Sequence, residues 1–271
     1  MKSRHVLALC ASAVLGLATA IPPAQAVTNG EPDGDGHPYV GFLLVKDLGG
    51  SFFNVCSGAL IAPRVVLTAG HCTFNGSGQG RVWFDTNLLP GQGSGFPQSG
   101  GYAIDQVYTH PDYDPFQLTV HEIGVVILKE DVVLPEYGHL PPDDILDGVL
   151  TQRGLEQQIF NVVGYGARGI KPVVISSRVR SVGDVMLVSG NAQLGAPQSA
   201  DHRAVLFSNN PGERASGGIC FIDSGGPVLW YGASTIVAVH VFGMNGNCKG
   251  ISGSYRIDRK DDLDFIRQFL P

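Results

Sequence analysis

The chain has 271 residues, a net charge of −6 at pH 7, and a high content of glycine (37) and proline (17). Proteins that bind nucleic acid need a clustered basic face, and the 18 Lys and Arg residues form no such cluster along this sequence. The composition therefore argues against a nucleic-acid partner and favours a folded protein with many turns.

The first 26 residues carry the pattern of a cleaved secretory signal peptide. Lys2 and Arg4 give a basic start, an apolar stretch covers residues 6–20, and Ala24-Gln25-Ala26 precedes Val27. About 15 apolar residues fall short of the roughly 20 that span a bilayer, which argues against a membrane anchor. We therefore predict a secreted, extracellular protein with no membrane association after the signal is removed.

Short runs of β-branched and aromatic residues recur through the rest of the chain, separated by Gly, Pro, Asn and Asp. This spacing predicts an all-β sandwich or barrel and argues against alternating β/α units. The predicted strands cover residues 39–45, 59–67, 82–84, 103–108, 124–128, 160–163, 226–231, 236–242 and 254–257. Residues 91–101 and 190–212 are predicted to be surface loops.

The C-terminal segment has the pattern of a helix. Its apolar residues recur at helical spacing and its acidic residues come early, where the helix dipole favours them. The apolar residues are Leu263, Ile266, Phe269 and Leu270, and the acidic ones are Asp261, Asp262 and Asp264. This is the one helix that the sequence predicts.

The cysteine count predicts disulfide bonds. Cys10 leaves with the signal peptide, and an even number in an exported chain then indicates two disulfides. Four cysteines allow three connectivities. No Cys-x-x-Cys or His-x-x-x-His spacing supports zinc, and no acidic loop supports calcium, so we predict neither a metal nor a cofactor.

Two segments far apart in sequence supply a base and a nucleophile. Residues 67–72 read Leu-Thr-Ala-Gly-His-Cys, and residues 220–227 read Cys-Phe-Ile-Asp-Ser-Gly-Gly-Pro. Serine is a weak nucleophile that needs a neutral imidazole to take its proton. Both segments resemble the chymotrypsin-like (trypsin-like) serine protease family, and the resemblance covers most of the chain after residue 26.

The resemblance implies a fold and its disulfides. It implies two six-stranded antiparallel β-barrels with a C-terminal helix and a cleft between the barrels. The first barrel is predicted to cover residues 27–145 and the second, with the helix, residues 146–271. The implied disulfides join Cys56 to Cys72 and Cys220 to Cys248.

The same resemblance implies a triad of His71, Ser224 and an acid, and here the sequence departs from the family. Glu122, just before the apolar run 123–128, stands where the family has aspartate. It keeps the charge but is one methylene longer. Asp112 and Asp114 are weaker candidates, because they lie in a proline-flanked loop upstream.

A second departure affects the oxyanion hole, which the resemblance assigns to the N–H groups of Ile222 and Ser224. The family has glycine at the position of Ile222, and a β-branched residue resists a positive φ at a cost of about 1 to 3 kcal/mol. If the peptide flips instead, one oxyanion donor is lost, which lowers the rate by roughly 10²- to 10³-fold. The alternative is therefore a non-catalytic homologue that binds protein ligands. An α/β-hydrolase esterase fits poorly, because its Gly-x-Ser-x-Gly elbow needs glycine at the same position.

The resemblance also implies a substrate pocket and an activation pair. No acid lies at the pocket base and small residues on the pocket wall leave room, so we expect apolar or aromatic substrate side chains; the implied pocket residues are Gly218, Ile219, Val241, Phe242, Gly243 and Gly253. The α-amino group of Val27 is expected to pair with Asp223, without an activation propeptide after the signal. Together these features predict a secreted, monomeric serine endopeptidase that acts on proteins or peptides.

Overall fold

The computed structural model describes residues 27–51, 53–117, 119–151, 154, 158–169, 175–176, 178–190, 203–210 and 217–271. The predicted signal peptide, and much of the predicted loop at 190–212, lie outside this set. Among the described residues, no helix has both the length and the apolar character needed to cross a membrane.

The first barrel is a closed ring of six antiparallel strands that follows a two-residue strand, β1 (Glu31–Pro32). Its strands pair in the order β2-β3-β4-β7-β6-β5. They are β2 (Val40–Asp47), β3 (Phe53–Ala62), β4 (Val65–Thr68), β5 (Gly76–Trp83), β6 (Tyr102–Thr109) and β7 (Gly124–Leu128). A one-turn helix, α1 (Gly70–Thr73), follows β4.

The second barrel also closes from six antiparallel strands, because β8 pairs with both β13 and β11. The ring runs β8-β11-β12-β15-β14-β13, and β9 with β10 forms a separate hairpin. The strands are β8 (Ile159–Gly164), β9 (Ala167–Gly169), β10 (Ile175–Ser176), β11 (Ser181–Ser189), β12 (Ala204–Ser208), β13 (Pro227–Trp230), β14 (Ile236–Gly243) and β15 (Ile251–Arg256).

Two further helices flank the second barrel, and the buried apolar residues form two clusters, of which the larger joins the first barrel to one side of the second. Helix α2 (Ile145–Leu150) precedes the barrel, and α3 (Lys260–Arg267) ends the fold. Apolar side chains of the strands are sequestered from water, which is the main driving force for closing each ring. Leu43, Leu60 and Val125 belong to one cluster and Phe160, Phe207 and Val237 to the other.

The predicted fold of two six-stranded barrels with a C-terminal helix is confirmed, with three differences in detail. The predicted run 59–67 is two strands, because a turn at Pro63 and Arg64 divides β3 from β4. Strands β11 and β12 were not predicted, and β12 corrects the prediction of a surface loop over 190–212, because Ala204, Val205 and Phe207 are buried in the barrel. Helices α1 and α2 add to the one predicted helix, but both are too short to give a clear periodic signal.

The first described residues, from Val27 to β1, pack on the second barrel and not on the first. Strand β1 pairs with Ser181 and Val182 of β11, and Val27 lies in the second buried cluster. The predicted first unit, residues 27–145, therefore contains a segment that belongs structurally with the second barrel. The boundary near residue 145 itself stays a prediction.

Both predicted disulfides form. Cys56 bonds to Cys72, with the Cα atoms 6.2 Å apart, and Cys220 bonds to Cys248 at 5.1 Å. They close loops of 16 and 28 residues, and each such bond stabilises a fold by about 3 kcal/mol in the chain-entropy model. One ties β3 to the helix that carries His71, and the other ties the segment before Ser224 to the loop after β14.

Candidate active site

His71 lies on α1, immediately after β4 of the first barrel. The preceding residue must be small, because a Cβ on Gly70 would lie 2.9 Å from the ring of Tyr113 and 3.1 Å from the main-chain nitrogen of Ile123. The His71 side chain keeps 32% of its surface exposed. The local sequence thus turns the chain sharply and leaves the imidazole open to the cleft.

Glu122 precedes β7 and is fully buried. Its Oε1 accepts hydrogen bonds from the main-chain N–H of His71 at 2.7 Å and from His71 Nδ1 at 2.8 Å. Because Nδ1 then carries the proton, the neutral ring presents Nε2 as an acceptor. The structure therefore places Glu122, and not the upstream aspartates, beside the imidazole.

The two alternative acids are engaged elsewhere. Asp114 accepts hydrogen bonds from the main chain of Phe116 and the side chain of Gln117. The main-chain N–H of Asp112 donates to His110, and its carboxylate forms no bond to His71. Neither aspartate is placed to orient the imidazole.

Tyr113 lies beside the buried carboxylate. Burial, followed by the charge of Glu122, raises the pKa of the Tyr113 phenol above its ordinary value of 10.0, so the phenol is neutral at pH 7. Glu122 Oε2 has no hydrogen-bond partner among the described residues. The carboxylate is therefore bonded to His71 through Oε1, with the Tyr113 phenol beside it.

Ser224 sits in a tight turn that leads into β13. Asp223 N–H donates to Cys220 O at 3.1 Å, and Gly226 N–H donates to Asp223 O at 2.9 Å. Glycine is required at position 225, because φ is +79° and a Cβ there would overlap Thr68. The turn fixes the direction in which the Ser224 side chain leaves the main chain.

Contacts across the barrels bring Ser224 to the side of the cleft that carries His71. Ser57 N–H of β3 donates to Ser224 O at 2.8 Å, and Cys72 Sγ lies 3.8 Å from the same oxygen. The Ser224 hydroxyl and the His71 ring form no hydrogen bond in this structure. Such bonds are often long before substrate binds.

Ile222 has φ +80°, the left-handed conformation that glycine adopts readily. Two hydrogen bonds fix the adjoining peptides: Ser57 Oγ donates to Ile222 O at 3.0 Å, and Ala167 N–H donates to Phe221 O at 2.8 Å. Because a trans peptide points its N–H away from its carbonyl, the second bond turns Ile222 N–H to the opposite side.

The N–H groups of Ile222 and Ser224 have no acceptor among the described residues. The sequence raised the possibility that the branched side chain forces the peptide to flip, and this does not occur. The strain of about 1 to 3 kcal/mol is instead absorbed by the surrounding hydrogen bonds and by packing of Ile222 against the first core.

Asp223 is a fully buried carboxylate with main-chain partners only. Oδ1 accepts from Gly166 N–H at 2.8 Å and Oδ2 from Cys220 N–H at 2.9 Å. Burial raises the pKa of Asp223 to about 7, against the lowering effect of these two N–H groups. Among the described residues no cation pairs with it.

Val27 is fully buried at the start of the described chain. The next residue is anchored, because Thr28 N–H donates to Gly218 O at 2.7 Å. Gly218 lies in the segment that leads to the Cys220 turn. Val27 and Thr28 are thus held beside the same loop that contains Asp223.

A cavity of about 240 Å³ opens beside Ser224. It is lined by Ile219, Cys220, Phe221, Ser224, Val241, Phe242, Gly243, Asn245, Gly246 and Cys248. Four of the six predicted pocket residues are in this lining. The other two, Gly218 and Gly253, are not.

Neighbouring side chains fill the space that these two glycines were expected to leave open. A Cβ on Gly218 would lie 2.6 Å from Asn209, whose amide donates to Ile219 O and Cys248 O. A Cβ on Gly253 would overlap the ring of Phe242. Small wall residues therefore accommodate parts of the protein itself, which corrects the expectation that they leave room for substrate.

Three residues that shape the site were not found from the sequence. Ser57 and Ala167 act through a hydroxyl and a main-chain N–H that bond to the turn around Ile222, and Asn209 donates to the carbonyls of Ile219 and Cys248, which line the cavity. Main-chain donors carry no sequence signal. Ser57 and Asn209 lie outside both motif segments, so the motifs did not indicate them.

A family model described as trypsin matches residues 27–258. Chymase from Rattus norvegicus is 26% identical over 213 residues, which cover 75% of this chain and 76% of that protein. A trypsin from Simulium vittatum is 29% identical over 133 residues, which cover 47% of this chain and 50% of the relative.

A CLIP domain-containing serine protease, B15 of Anopheles gambiae, is 26% identical over 148 residues, or 50% of this chain and 40% of the relative. The chain thus spans half or less of the length of this protein and of the Simulium trypsin. Among solved structures, HL collagenase has a TM-score of 0.68 at 18% identity, covering 89% of this chain and 97% of that one. Human heparin binding protein has a TM-score of 0.64 at 20% identity, covering 90% and 98%.

The structural neighbours share the two-barrel fold, and the family model spans most of the chain, from the buried Val27 through both motif segments. The sequence resemblance and the observed architecture agree with it. The chain belongs to the trypsin family of serine proteases.

Proposed function

We propose that this protein is a secreted serine endopeptidase in which Ser224 is the nucleophile, His71 the general base and Glu122 the acid that orients His71. One observation carries the proposal: the buried Glu122 Oε1 accepts from both the main-chain N–H and Nδ1 of His71. This arrangement fixes the tautomer with Nε2 free to take a proton. A histidine with a purely structural role would not require these two hydrogen bonds to a buried carboxylate at the edge of a cleft.

In the proposed reaction Ser224 Oγ attacks the carbonyl carbon of the substrate, and its proton passes to His71 Nε2. The carbonyl oxygen becomes an oxyanion that accepts hydrogen bonds from the N–H groups of Ile222 and Ser224. Their orientation, with Phe221 O held by Ala167, supports this role. Each such donor contributes roughly 10²- to 10³-fold in rate.

His71 then gives its proton to the leaving amine, and the acyl group stays on Ser224. Water, deprotonated by the same imidazole, attacks the acyl carbon; the bond to Ser224 Oγ then breaks, Oγ takes the proton back from His71, and the acid is released. Glu122 stays ionised throughout and stabilises the imidazolium that forms in each half of the reaction. Its burial keeps water from competing for the His71 Nδ1 proton.

We propose that the chain is active when it begins at Val27. The buried, uncompensated Asp223 and the anchored segment beside Gly218 support a pairing between Asp223 and a new α-amino group. A buried carboxylate is costly without a partner, so the pairing stabilises the loop that carries Ile222 and Ser224.

For the substrate, we propose a preference for apolar side chains at the residue whose carbonyl is attacked. The cavity lining is mainly apolar, and behind it the two amide donors of Asn209 are used by the carbonyls of Ile219 and Cys248. Among the described residues that line the cavity, none has a carboxylate that could pair with a substrate Lys or Arg. The ring of Phe242 shortens the pocket and limits aromatic side chains.

The test is hydrolysis of peptide amide and ester substrates by purified protein that begins at Val27. We expect turnover, and we expect Ser224→Ala to lower kcat/KM by roughly 10⁴- to 10⁶-fold without changing the melting temperature by more than a few degrees. If the Ser224→Ala protein turns over substrate at the wild-type rate, the proposed nucleophile is wrong.

A further inference from the structure

His121, the residue before the proposed acid, has an unusual backbone. Its φ is +44°, in the left-handed region that residues other than glycine seldom adopt. His121 O accepts a hydrogen bond from Ile123 N–H at 2.7 Å, which closes a tight turn with Glu122 at its centre. A conformation of this kind persists only where surrounding contacts hold it.

The contacts that hold His121 come from the second barrel and from α3. Its main-chain N–H donates to Tyr255 Oη at 3.1 Å, and its Nδ1 lies 3.0 Å from Asp262 Oδ1. Tyr255 Oη in turn donates to Asp262 Oδ2 at 3.0 Å. Tyr255 and Asp262 are both fully buried. Asp262 on the C-terminal helix thus holds the His121 side chain directly, and it holds the His121 main chain through Tyr255.

Other charged groups complete the surroundings of this carboxylate. Arg203 Nη1 lies 3.0 Å from Asp262 Oδ2 and 3.5 Å from His121 Nδ1. The His110 ring stacks on His121 at 4.1 Å, and its Nε2 is 4.0 Å from Asp262 Oδ1. Burial, followed by the charge of His121, lowers the pKa of His110.

Two histidines and an aspartate suggest a metal site, but the geometry argues against one. The guanidinium of Arg203 already supplies the positive charge beside Asp262 and His121. The two imidazoles are parallel within 8°, so their ring nitrogens lie side by side and do not converge on a common point. The group is better described as a hydrogen-bonded anchor.

An anchor at this position fixes the main chain next to the proposed acid, Glu122. A glutamate has one more rotatable bond than an aspartate, so its carboxylate is less defined in position unless the main chain behind it is fixed. We propose that Asp262 is a positioning residue, which acts through His121 to set the turn from which Glu122 reaches His71. This inference rests on the proposed function, with Glu122 as the acid of the triad.

The test compares Asp262→Asn with Asp261→Asn. Asp261 is a matched control, since it lies on the same helix and bonds to the same Arg203, at 2.7 Å, but does not contact His121. We expect Asp262→Asn to lower kcat by about 10- to 100-fold with KM changed by less than about threefold, the cost of a misplaced catalytic group. We expect Asp261→Asn to stay within about twofold of wild type.

A second background separates positioning from general stability. In Glu122→Gln protein the acid no longer functions, so adding Asp262→Asn should lower the residual kcat by less than about threefold. Equal fold losses in the wild-type and Glu122→Gln backgrounds would show that Asp262 does not act through Glu122 and would overturn the inference.

Tyr255→Phe serves if Asp262→Asn does not fold, since it keeps the ring and removes only the hydroxyl that bonds to His121 N–H and Asp262. The same loss of kcat is expected. Folded Tyr255→Phe protein with wild-type kcat overturns the inference.

A spectroscopic readout distinguishes this inference from the proposed function. The proton between His71 Nδ1 and Glu122 belongs to a charge-assisted hydrogen bond, which gives a low-field proton resonance without turnover. We expect Asp262→Asn, but not Asp261→Asn, to shift or broaden that resonance. Wild-type protein that hydrolyses nothing contradicts the proposed function, whereas a resonance unchanged in Asp262→Asn contradicts the positioning role.

Discussion

The two barrels contribute to the site in different ways. The first supplies His71 and Glu122 from the ends of two paired strands: Thr68 of β4 lies opposite Gly124 of β7, so the residues that follow one strand and precede the other meet. The second supplies Ser224 and Ile222 from a turn outside its strands, and part of the pocket from the end of β14. Strand register therefore positions the proposed base and acid, whereas the proposed nucleophile depends on individual hydrogen bonds.

Those bonds come largely from outside the nucleophile segment. Ser57 of the first barrel bonds to the carbonyls of both Ile222 and Ser224, and Ala167 bonds to Phe221 O. The first barrel thus acts as a template against which the second barrel's loop is set. Variants on each side should accordingly differ in what they damage.

On the first-barrel side, the largest effect expected is that of Glu122→Gln. An amide leaves the imidazole without a negative partner and permits the wrong tautomer, so kcat should fall by about 10⁴-fold. Glu122→Asp keeps the charge and shortens the reach, and should retain far more activity. Steady-state kinetics of the two variants measures the difference. Near-wild-type kcat in both would mean that the site works without this acid.

On the second-barrel side, the next largest effect is expected from extra residues before Val27. Without a free amine to pair with Asp223, the loop that carries Ile222 and Ser224 loses its support, and kcat/KM should fall by roughly 10²-fold or more. Protein that begins at Val27 is the matched control. Full activity in a form extended by two residues would show that this pairing is not needed.

The extended form should also have a characteristic pH dependence. Burial raises the folded pKa of Asp223 to about 7 from its ordinary value of 3.8, so the folded state binds the proton more tightly than the unfolded state. The resulting stability is fully present below pH 3.8 and is lost as the pH rises through about 7. In protein that begins at Val27, the ammonium lowers that pKa, and the loss should shrink. Urea unfolding of both forms between pH 4 and 7.5 measures it.

A smaller change is expected at the pocket. Phe242→Ala removes the ring that covers Gly253 and should enlarge the cavity, so kcat/KM for substrates with aromatic side chains should rise relative to alanine or valine substrates by about 10-fold or more. Ser224 chemistry should be unaffected. A substrate series measured on both proteins checks this, and an unchanged preference would mean that the ring does not limit the pocket.

The smallest effect is expected at Ile222. Because the peptide already has the glycine-like conformation, Ile222→Gly relieves strain but adds no new oxyanion donor, and kcat should stay within about 10-fold of wild type. A rise of 10²-fold or more would show that the peptide is flipped in solution. Kinetics and the melting temperature of the variant together separate these outcomes.

The parts of the site that depend on a local sequence pattern could be predicted from the sequence. The segments around His71 and Ser224 have fixed offsets, both disulfides were predicted correctly, and the predicted strand 124–128 matches β7. Glu122 was predicted as the acid from its place before that strand, and the structure puts it next to the imidazole.

The remaining parts depend on contacts between distant elements. The positive φ of Ile222 depends on contacts such as the hydrogen bond from Ser57, which lies 165 residues away in sequence. Asp262 is 141 residues from His121, and neither residue shows the contact in its local pattern. The filling of the pocket by Phe242 depends on how one ring packs across β14 and β15, which periodicity does not specify.

Covalent labelling with an active-site serine phosphonate tests the central claim most directly, because it reports an activated nucleophile without knowledge of the natural substrate. Protein that begins at Val27 should gain one adduct, located at Ser224 by peptide mass spectrometry. Ser224→Ala should gain none and His71→Ala should react much more slowly. Folded wild-type protein that remains unlabelled at Ser224 would contradict the account and favour a homologue that binds proteins without catalysis.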